Sequence, residues 1–468
     1  MKKLNKIYLA ALSTIVLLCA CNKQLDLKPY QSVEQTVAIV TPQDVQITLV
    51  GAYNRAGLTD LYGGGAFLYP DLMSTQTILT WQGTFQTLTQ MVDQAIAIDN
   101  SDVDFTWLDG YQVINQANNV LANLKIVNND PTTEGGAKFL RGLVYFDLAR
   151  LFGRAWNDGD PTANLAVPIV TTPTTAVTAA SYVPRATVAQ VYAQAIADLT
   201  DAETELPANN SFFANSYSAS AILARLYLQK GDYANAAKEA NNVISSGNFA
   251  LNNNYADEFP YPGFVPSLGY PNGTPAHIDN TPEDVFAFQV TPQQGTNSLN
   301  TFYASSDNAG RGDIIIGDNF VAGFEPGDTR ALLYNEDSAG LLRCDKFDNL
   351  YGNVHVIRLA ELYLIRAEAN LHLGASAVGP TPLSDVNTIR ARAGLAPLTT
   401  ATIASVMTER VHELAFEGGF FLHDAKRAST AGGQITVGGV PAFSPKLVFP
   451  IPSVEINANP KLVQNPSY

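Results

Sequence analysis

The side chains best suited to bind a ligand are aromatic and amide residues in two polar stretches of the chain. Trp81 is the strongest candidate, because it stands in Thr80-Trp81-Gln82-Gly83, within a stretch too polar to form a core. Aromatic faces offer a large contact area at small entropic cost, and they stack on the C–H faces of sugars, whose hydroxyl groups need amide or guanidinium partners. The candidate ligand-binding residues are Trp81, Gln82, Tyr62, Tyr69, Tyr261, Tyr270, Tyr303, Asn308 and Arg311. For each of these residues, burial in an ordinary core is the competing interpretation.

The sequence offers no positive sign of catalysis or of a metal centre. His412 is followed by Glu413, but Phe416 stands where an HExxH zinc motif needs its second histidine, and the remaining histidines are isolated. P-loop, GxGxxG and GxSxG patterns do not occur. Glycosidases use a pair of carboxylates, and the 43 acidic residues leave such a pair open without pointing to one. We therefore expect a protein that is not an enzyme and that needs no cofactor or metal.

Two short motifs are explained most simply as turns. Arg311-Gly312-Asp313 spells a cell-adhesion tripeptide but is predicted to be a turn. Asn157-Asp158-Gly159-Asp160 offers oxygen ligands for calcium, although a solvated turn is the simpler interpretation.

Composition excludes several classes of protein. The 468 residues are 46% apolar and 15% charged, against about 25% charged in typical domains. The formal net charge of −15 argues against a nucleic-acid binder, and 10% aromatic residues argue against a disordered chain. After position 20 no apolar run approaches the ~20 residues of a membrane-spanning helix. A large folded body with a polar, weakly charged surface remains.

The first twenty residues resemble a lipoprotein signal peptide. Three lysines precede an apolar run from Ile7 to Ala20, which is too short to span a bilayer of ~30 Å. Leu18-Cys19-Ala20-Cys21 resembles a lipobox, so residues 1–20 are expected to be removed and Cys21 to carry lipid. Cys344 is then the last cysteine left, which argues against a disulfide scaffold.

Apolar residues recur at helical spacing through most of the chain, so we predict a mainly α fold. The segment 218–247 reads as two helices joined at Gly231-Asp232, and this unit resembles a tetratricopeptide repeat. The regions 56–106 and 250–350 are predicted to be long irregular loops inserted in a superhelical scaffold of such helix pairs. We expect residues 21–468 to form one body, with an N-terminal part to about 250, a loop-rich insertion at about 250–350 and C-terminal helices and tail at about 351–468. The predicted helices lie at about 109–125, 137–152, 187–206, 218–230, 233–246, 355–373, 384–394 and 402–417.

Several segments resemble the SusD/RagB-like outer-membrane lipoproteins of the Bacteroidetes type. The C-terminal stretch Lys446-Leu-Val-Phe-Pro-Ile-Pro452, followed by Gln464-Asn-Pro-Ser-Tyr468, is similar to the family's closing pattern. Arg358-Leu-Ala-Glu-Leu-Tyr-Leu-Ile-Arg-Ala-Glu-Ala369 resembles its signature helix, and Glu413-Leu-Ala-Phe-Glu-Gly418 resembles the helix that follows. The family often has an arginine shortly after this glycine, whereas residues 419–424 here lack it.

The resemblance implies a glycan-binding lipoprotein of the cell surface. It would be anchored in the outer membrane by lipid alone, and would deliver captured oligosaccharide or polysaccharide to a SusC-like TonB-dependent transporter. A peptide-binding or protein-binding member of the same family is the alternative, and a surface glycosidase is a third. The charged residues of the signature helices are expected to pair between neighbouring helices and so to stabilise the stack.

Overall fold

The computed structural model describes residues 39–75, 77–261, 264–265, 270–271, 277–293 and 295–468. The predicted signal peptide and the predicted lipid attachment at Cys21 lie outside these residues. The fold that the described residues form is mainly helical, which confirms the predicted fold class.

The longer helices carry the scaffold, and shorter ones occupy the segments between them. The helices are α1 Pro42–Ala56, α2 Gly65–Ser74, α3 Gln86–Val92, α4 Ser101–Ala122, α5 Pro131–Phe152, α6 Val188–Glu205, α7 Ser216–Lys230, α8 Tyr233–Ser245, α9 Ser298–Tyr303, α10 Asp318–Val321, α11 Leu359–Leu373, α12 Pro382–Arg392, α13 Ile403–Leu414, α14 Phe420–Ala428 and α15 Ser453–Ala458.

Each long helix packs beside the long helix that precedes it in the chain, and the short helices are passed over. α4 packs on α1, α5 on α4, α6 on α5, α7 on α6 and α8 on α7, and the row continues through α11 to α12 and α13. Two local signals set these boundaries as predicted. Thr187 and Gln190 form a capping box at the start of α6. Gly231 adopts a left-handed φ of 74° that ends α7 and turns the chain into α8. The tetratricopeptide-like helix pair is therefore present where the sequence predicts it.

Short antiparallel ribbons lie between the helices. The strands are β1 Leu79–Trp81, β2 Phe264–Val265, β3 Tyr270–Pro271, β4 Asp284–Phe288, β5 Ile314–Ile316, β6 Tyr334–Glu336, β7 Leu342–Cys344, β8 Val354–Arg358, β9 Thr436–Val437 and β10 Val440–Pro441. The ribbons pair β1 with β5, β2 with β3, β4 with β8, β6 with β7 and β9 with β10. Cys344, at the end of β7, is buried and free.

Several sequence-based boundaries are wrong. The helices predicted to begin at about 109 and 137 begin earlier, at Ser101 and Pro131. The predicted helix at 355–373 begins at Leu359, because Val354–Arg358 is a strand rich in β-branched residues that pairs with β4. The region 56–106 is not a single irregular loop, since it contains α2, α3 and the start of α4. All residues of α2 are buried, so this helix shows no polar face that periodicity could detect.

The charged residues of the signature helices are buried and pair between elements, as expected. Arg358 is 2% exposed, and its guanidinium donates hydrogen bonds to Glu283 at 2.7 Å, to Glu413 at 2.6 Å and to Glu417 at 2.6 Å. Further buried pairs that join helices or loops include Arg225–Glu361, Arg366–Asp385, Arg330–Glu409, Arg390–Glu409, Arg410–Asp424 and Arg427–Glu368.

Acid is expected to destabilise the fold through these buried carboxylates. Burial alone would raise the pKa of Asp424, but the charges of Arg410 and Arg427 outweigh it and lower that pKa to about 2. The pKa values of Glu413 and Glu417 are lowered in the same way by neighbouring cationic side chains. Because the unfolded chain binds protons first as the pH falls, the stability from these groups is complete above about pH 4 and is lost towards pH 2.

The measurement is the free energy of unfolding in urea at a series of pH values. It should fall steeply between about pH 4 and pH 2, and the slope should be smaller in Asp424→Asn than in the wild-type chain. An unchanged slope in the variant would contradict the assignment of acid sensitivity to Asp424.

Among the residues that the structure describes, no helix combines the length and the apolar character needed to cross a membrane.

Candidate functional site

The ribbon of β1 and β5 carries the strongest candidate side chain at its end. Trp81 pairs with Ile314 in this ribbon, whose apolar residues anchor it to the core. The indole of Trp81 is partly exposed, and its Nε1 donates a hydrogen bond to Thr89 Oγ1 at 3.0 Å. Gly83 lies directly against the ring, because a Cβ at this position would overlap Trp81 Cζ2. The ring orientation is thus fixed from two sides.

Two phenylalanines extend this surface. The ring centroid of Phe302, on α9, lies 6.0 Å from that of Trp81 and 5.8 Å from that of Phe85. Phe85 is 43% exposed. The guanidinium of Arg311 lies 4.8 Å from the Phe85 ring centroid and donates to Asp313 Oδ2 at 2.8 Å. We call Trp81, Phe85, Phe302 and Arg311 the aromatic patch.

The polar candidates lie around the patch. Gln82 is exposed, and its backbone N–H donates to the Asp313 carbonyl at 2.7 Å, which continues the pairing of β1 with β5. Asn308 belongs to the same short turn as Arg311 and accepts a hydrogen bond from the Tyr261 hydroxyl. The structure therefore brings Trp81, Gln82 and Arg311 together and places the Tyr261–Asn308 pair on the adjoining turn.

Burial weakens the negative charge of one carboxyl group beside this turn. Burial raises the pKa of Asp348 to about 8, the Asp345 carboxylate adds to the shift, and a hydrogen bond from Asn308 opposes it. Burial also raises the pKa of Asp345 to about 6. A surface with aromatic faces and amides is suited to a polyhydroxyl ligand.

Three tyrosines predicted for the site are instead part of the core. Tyr62 is fully buried, stacks on Phe288 and donates to Asp147 Oδ2 at 2.7 Å. Tyr69 donates to Asp60 at 3.0 Å, and Tyr303 donates to Asp71 at 3.4 Å, both from buried positions. Their hydroxyls are used within the protein and their rings have no exposed face. For Tyr270 the structure describes only the backbone of β3.

Sequence reasoning did not select Phe85 and Phe302. Both stand in the aromatic-rich stretches, but their spacing gives no sign that they meet Trp81, because that contact depends on the pairing of β1 with β5. The one available signal is the position of Phe85 four residues after Trp81, in the same polar stretch.

The two short motifs behave as turns. Gly312 has a left-handed φ of 67° between Arg311 and Asp313. Asp158 is held by Arg154 at 2.6 and 2.7 Å. The amide of Asn157 donates to three backbone carbonyls at 426–429, so neither side chain is directed at a shared cation.

Larger depressions of the described surface lie apart from the patch residues, and two of them have apolar linings. One groove of about 630 Å³ is lined by Phe212, Phe213 and Phe288, among others. An apolar pocket of about 410 Å³ lies between Phe320 and Leu414. Neither includes a residue of the aromatic patch.

Comparison with known proteins shows similarity to SusD family proteins. A SusD-like family model described as "Starch-binding associating with outer membrane" matches residues 23–228, and the SusD family model matches residues 346–434. The chain is 28% identical over 252 residues to SusD-like protein P2 of Formosa agariphila, covering 53% of this chain and 47% of that protein. The chain thus spans about half the length of the curated relatives it matches.

Solved structures show the same fold. A SusD superfamily protein from Bacteroides vulgatus superposes with a TM-score of 0.75 at 24% identity, covering 92% of this chain and 100% of the other. Surface glycan-binding protein A from Bacteroides uniformis superposes with a TM-score of 0.72 at 20% identity, covering 91% and 99%. At these identities the likeness establishes the fold alone.

Proposed function

The chain belongs to the SusD/RagB-like family, and from that premise we propose that it captures oligosaccharide or polysaccharide at the cell surface. The observation that carries the proposal is the partly exposed Trp81 beside Phe85, Phe302 and Arg311. Aromatic faces of this kind stack on sugar rings, while the neighbouring guanidinium and amides serve hydroxyl groups. The carboxylate at the patch, Asp313, is paired with Arg311, so the proposal involves binding without turnover.

The cellular setting follows from the family. We propose that Cys21 carries the lipid anchor, that residues 21–468 act as one body on the outer face of the outer membrane, and that the partner is a SusC-like TonB-dependent transporter. The family description as starch-binding and outer-membrane-associated supports this setting.

Native electrophoresis in gels that contain single polysaccharides tests the proposal. At least one neutral polysaccharide should retard the chain relative to a gel without glycan, and incubation with oligosaccharides should yield no shorter products. If none of a broad set retards the chain while a peptide library binds it, the peptide-binding alternative replaces ours. The release of shorter products would instead establish a glycosidase.

A further inference from the structure

Three ligand-type side chains from distant parts of the chain meet beside the β4–β8 ribbon. Glu258 ends a short 3₁₀ helix at Tyr255–Glu258, Asp284 opens β4, and His355 lies on β8. Their nearest nitrogen and oxygen atoms all lie within 4.8 Å of one another. Glu258 has no exposed surface, and 11% of the His355 side chain is exposed. Such a set cannot be recognised from sequence spacing, because the fold alone brings the residues together.

One oxygen of each carboxylate is held by the protein, and the other is directed at the imidazole. Glu258 Oε2 accepts hydrogen bonds from Asn252 Nδ2 at 2.7 Å and from Thr281 Oγ1 at 2.5 Å. Glu258 Oε1 is buried without a hydrogen-bond partner, 3.5 Å from His355 Nδ1. Asp284 Oδ2 accepts from the Thr281 N–H at 2.8 Å, and its Oδ1 contacts His355 Nδ1. A buried carboxylate oxygen left unpaired in a native fold needs an explanation.

The surroundings carry more negative than positive charge. Five carboxylates and three cationic side chains lie in this cluster. Arg330 lies next to the cluster and is not counted, because it forms an ion pair with Asp328. When all five carboxyl groups are ionised and the imidazole is neutral, two negative charges are in excess, and one divalent cation would balance them. The carboxylates are Glu258, Glu283, Asp284, Glu413 and Glu417, and the cationic side chains are Lys346, Arg358 and Arg392.

We infer that Glu258, Asp284 and His355 form a binding site for a divalent transition-metal ion, with Zn²⁺ as the best match. One imidazole nitrogen with two carboxylate oxygens is a typical zinc donor set, whereas Ca²⁺ and Mg²⁺ prefer oxygen ligands alone. Two ligands of a tetrahedral zinc ion lie about 3.3 Å apart, close to the 3.5 Å between His355 Nδ1 and Glu258 Oε1. When the ion binds, it takes the place of the direct contact between His355 Nδ1 and Asp284 Oδ1, and these two atoms move apart.

A small pocket beside two of the three ligands offers room for a water molecule as the fourth ligand. Asp284 and His355 line a small pocket of about 20 Å³, together with Thr281, Asn297 and Asn353. This volume is sufficient for one water molecule. The bound ion would join the 3₁₀ helix to the β4–β8 ribbon and thereby stabilise the loop-rich part of the fold. This role does not depend on glycan binding.

The test titrates Zn²⁺ into the untagged, chelator-treated full chain and follows heat of binding and thermal unfolding. One equivalent should bind, and Zn²⁺ should raise the melting temperature. Glu258→Gln and His355→Gln should each weaken binding at least tenfold and abolish the melting shift, while Glu258→Gln keeps the shape of the side chain.

His277→Gln is the matched control, because His277 lies 3.5 Å from Asp279 and is the rival surface site. It should leave both measurements unchanged. The inference is overturned if the wild-type chain binds no equivalent of Zn²⁺, if Ca²⁺ stabilises the chain while Zn²⁺ does not, or if His277→Gln rather than Glu258→Gln removes binding.

Discussion

Trp81→Ala is expected to weaken binding to the retarding polysaccharide about 30-fold, which corresponds to about 2 kcal/mol. Aromatic residues at the centre of a binding surface typically account for this much, and removal of the indole leaves Phe85 and Phe302 without the third ring of the patch. Retention in glycan gels and isothermal titration with an oligosaccharide of the same sugar measure the effect.

Phe212→Ala is the matched control, since Phe212 is 48% exposed and lies in the separate groove. It should retain wild-type affinity. If Phe212→Ala loses binding and Trp81→Ala keeps it, the glycan site lies in the groove and not on the aromatic patch. Thermal unfolding of both variants shows whether either change acts through the fold, because the indole also bonds to Thr89.

Gly83→Ala probes the same site without removing the indole. The added methyl group overlaps the Trp81 ring, so the ring must move. A loss of affinity close to that of Trp81→Ala would show that the orientation of the ring matters as much as its presence. Wild-type affinity in Gly83→Ala would mean that the position of the ring is not critical.

The scaffold was readable from the sequence wherever helices have one buried and one exposed face. Clear signals at the helix ends helped as well: Thr187 caps the start of α6, and Gly231 ends α7. The same reasoning failed for α2, because a helix buried on all sides has no periodic polar face. It also failed at Val354–Arg358, where pairing with β4 overrides a pattern that continues smoothly into α11.

The residues of the candidate site could be predicted from the sequence only in part, because their burial depends on contacts that the fold creates. Trp81 stood out because a tryptophan in a polar stretch is poorly suited to a core. Tyr62, Tyr69 and Tyr303 looked similar in sequence, yet each is buried and its hydroxyl bonds to an internal aspartate. Composition does not reveal which tyrosine has such a partner, because the partner comes from another helix or loop. Only the fold separates a ligand-binding tyrosine from a core tyrosine.

The buried charges of the segments that resemble the family's signature helices connect distant parts of the fold. Arg358 connects Glu283 before β4 with Glu413 on α13 and Glu417 beyond it, so one guanidinium joins three segments. Burying such charges gives little net stability compared with apolar residues of the same shape. Removing Arg358, however, leaves this buried cluster short of one cation, since only Arg392 then pairs with Glu283 and only Lys346 pairs with Glu417.

Arg358→Met is therefore expected to lower the free energy of unfolding by about 3–5 kcal/mol. Urea denaturation monitored by circular dichroism measures the loss. Arg154→Met is the matched control: Arg154 also binds a carboxylate, that of Asp158, but its side chain is 45% exposed, so the loss should stay below about 1 kcal/mol. The double variant Arg358→Met/Glu417→Gln should lose less than the sum of its single variants, because one uncompensated charge is removed with the other. A loss of under about 1 kcal/mol for Arg358→Met would contradict the structural role of the network and leave these residues free for another function.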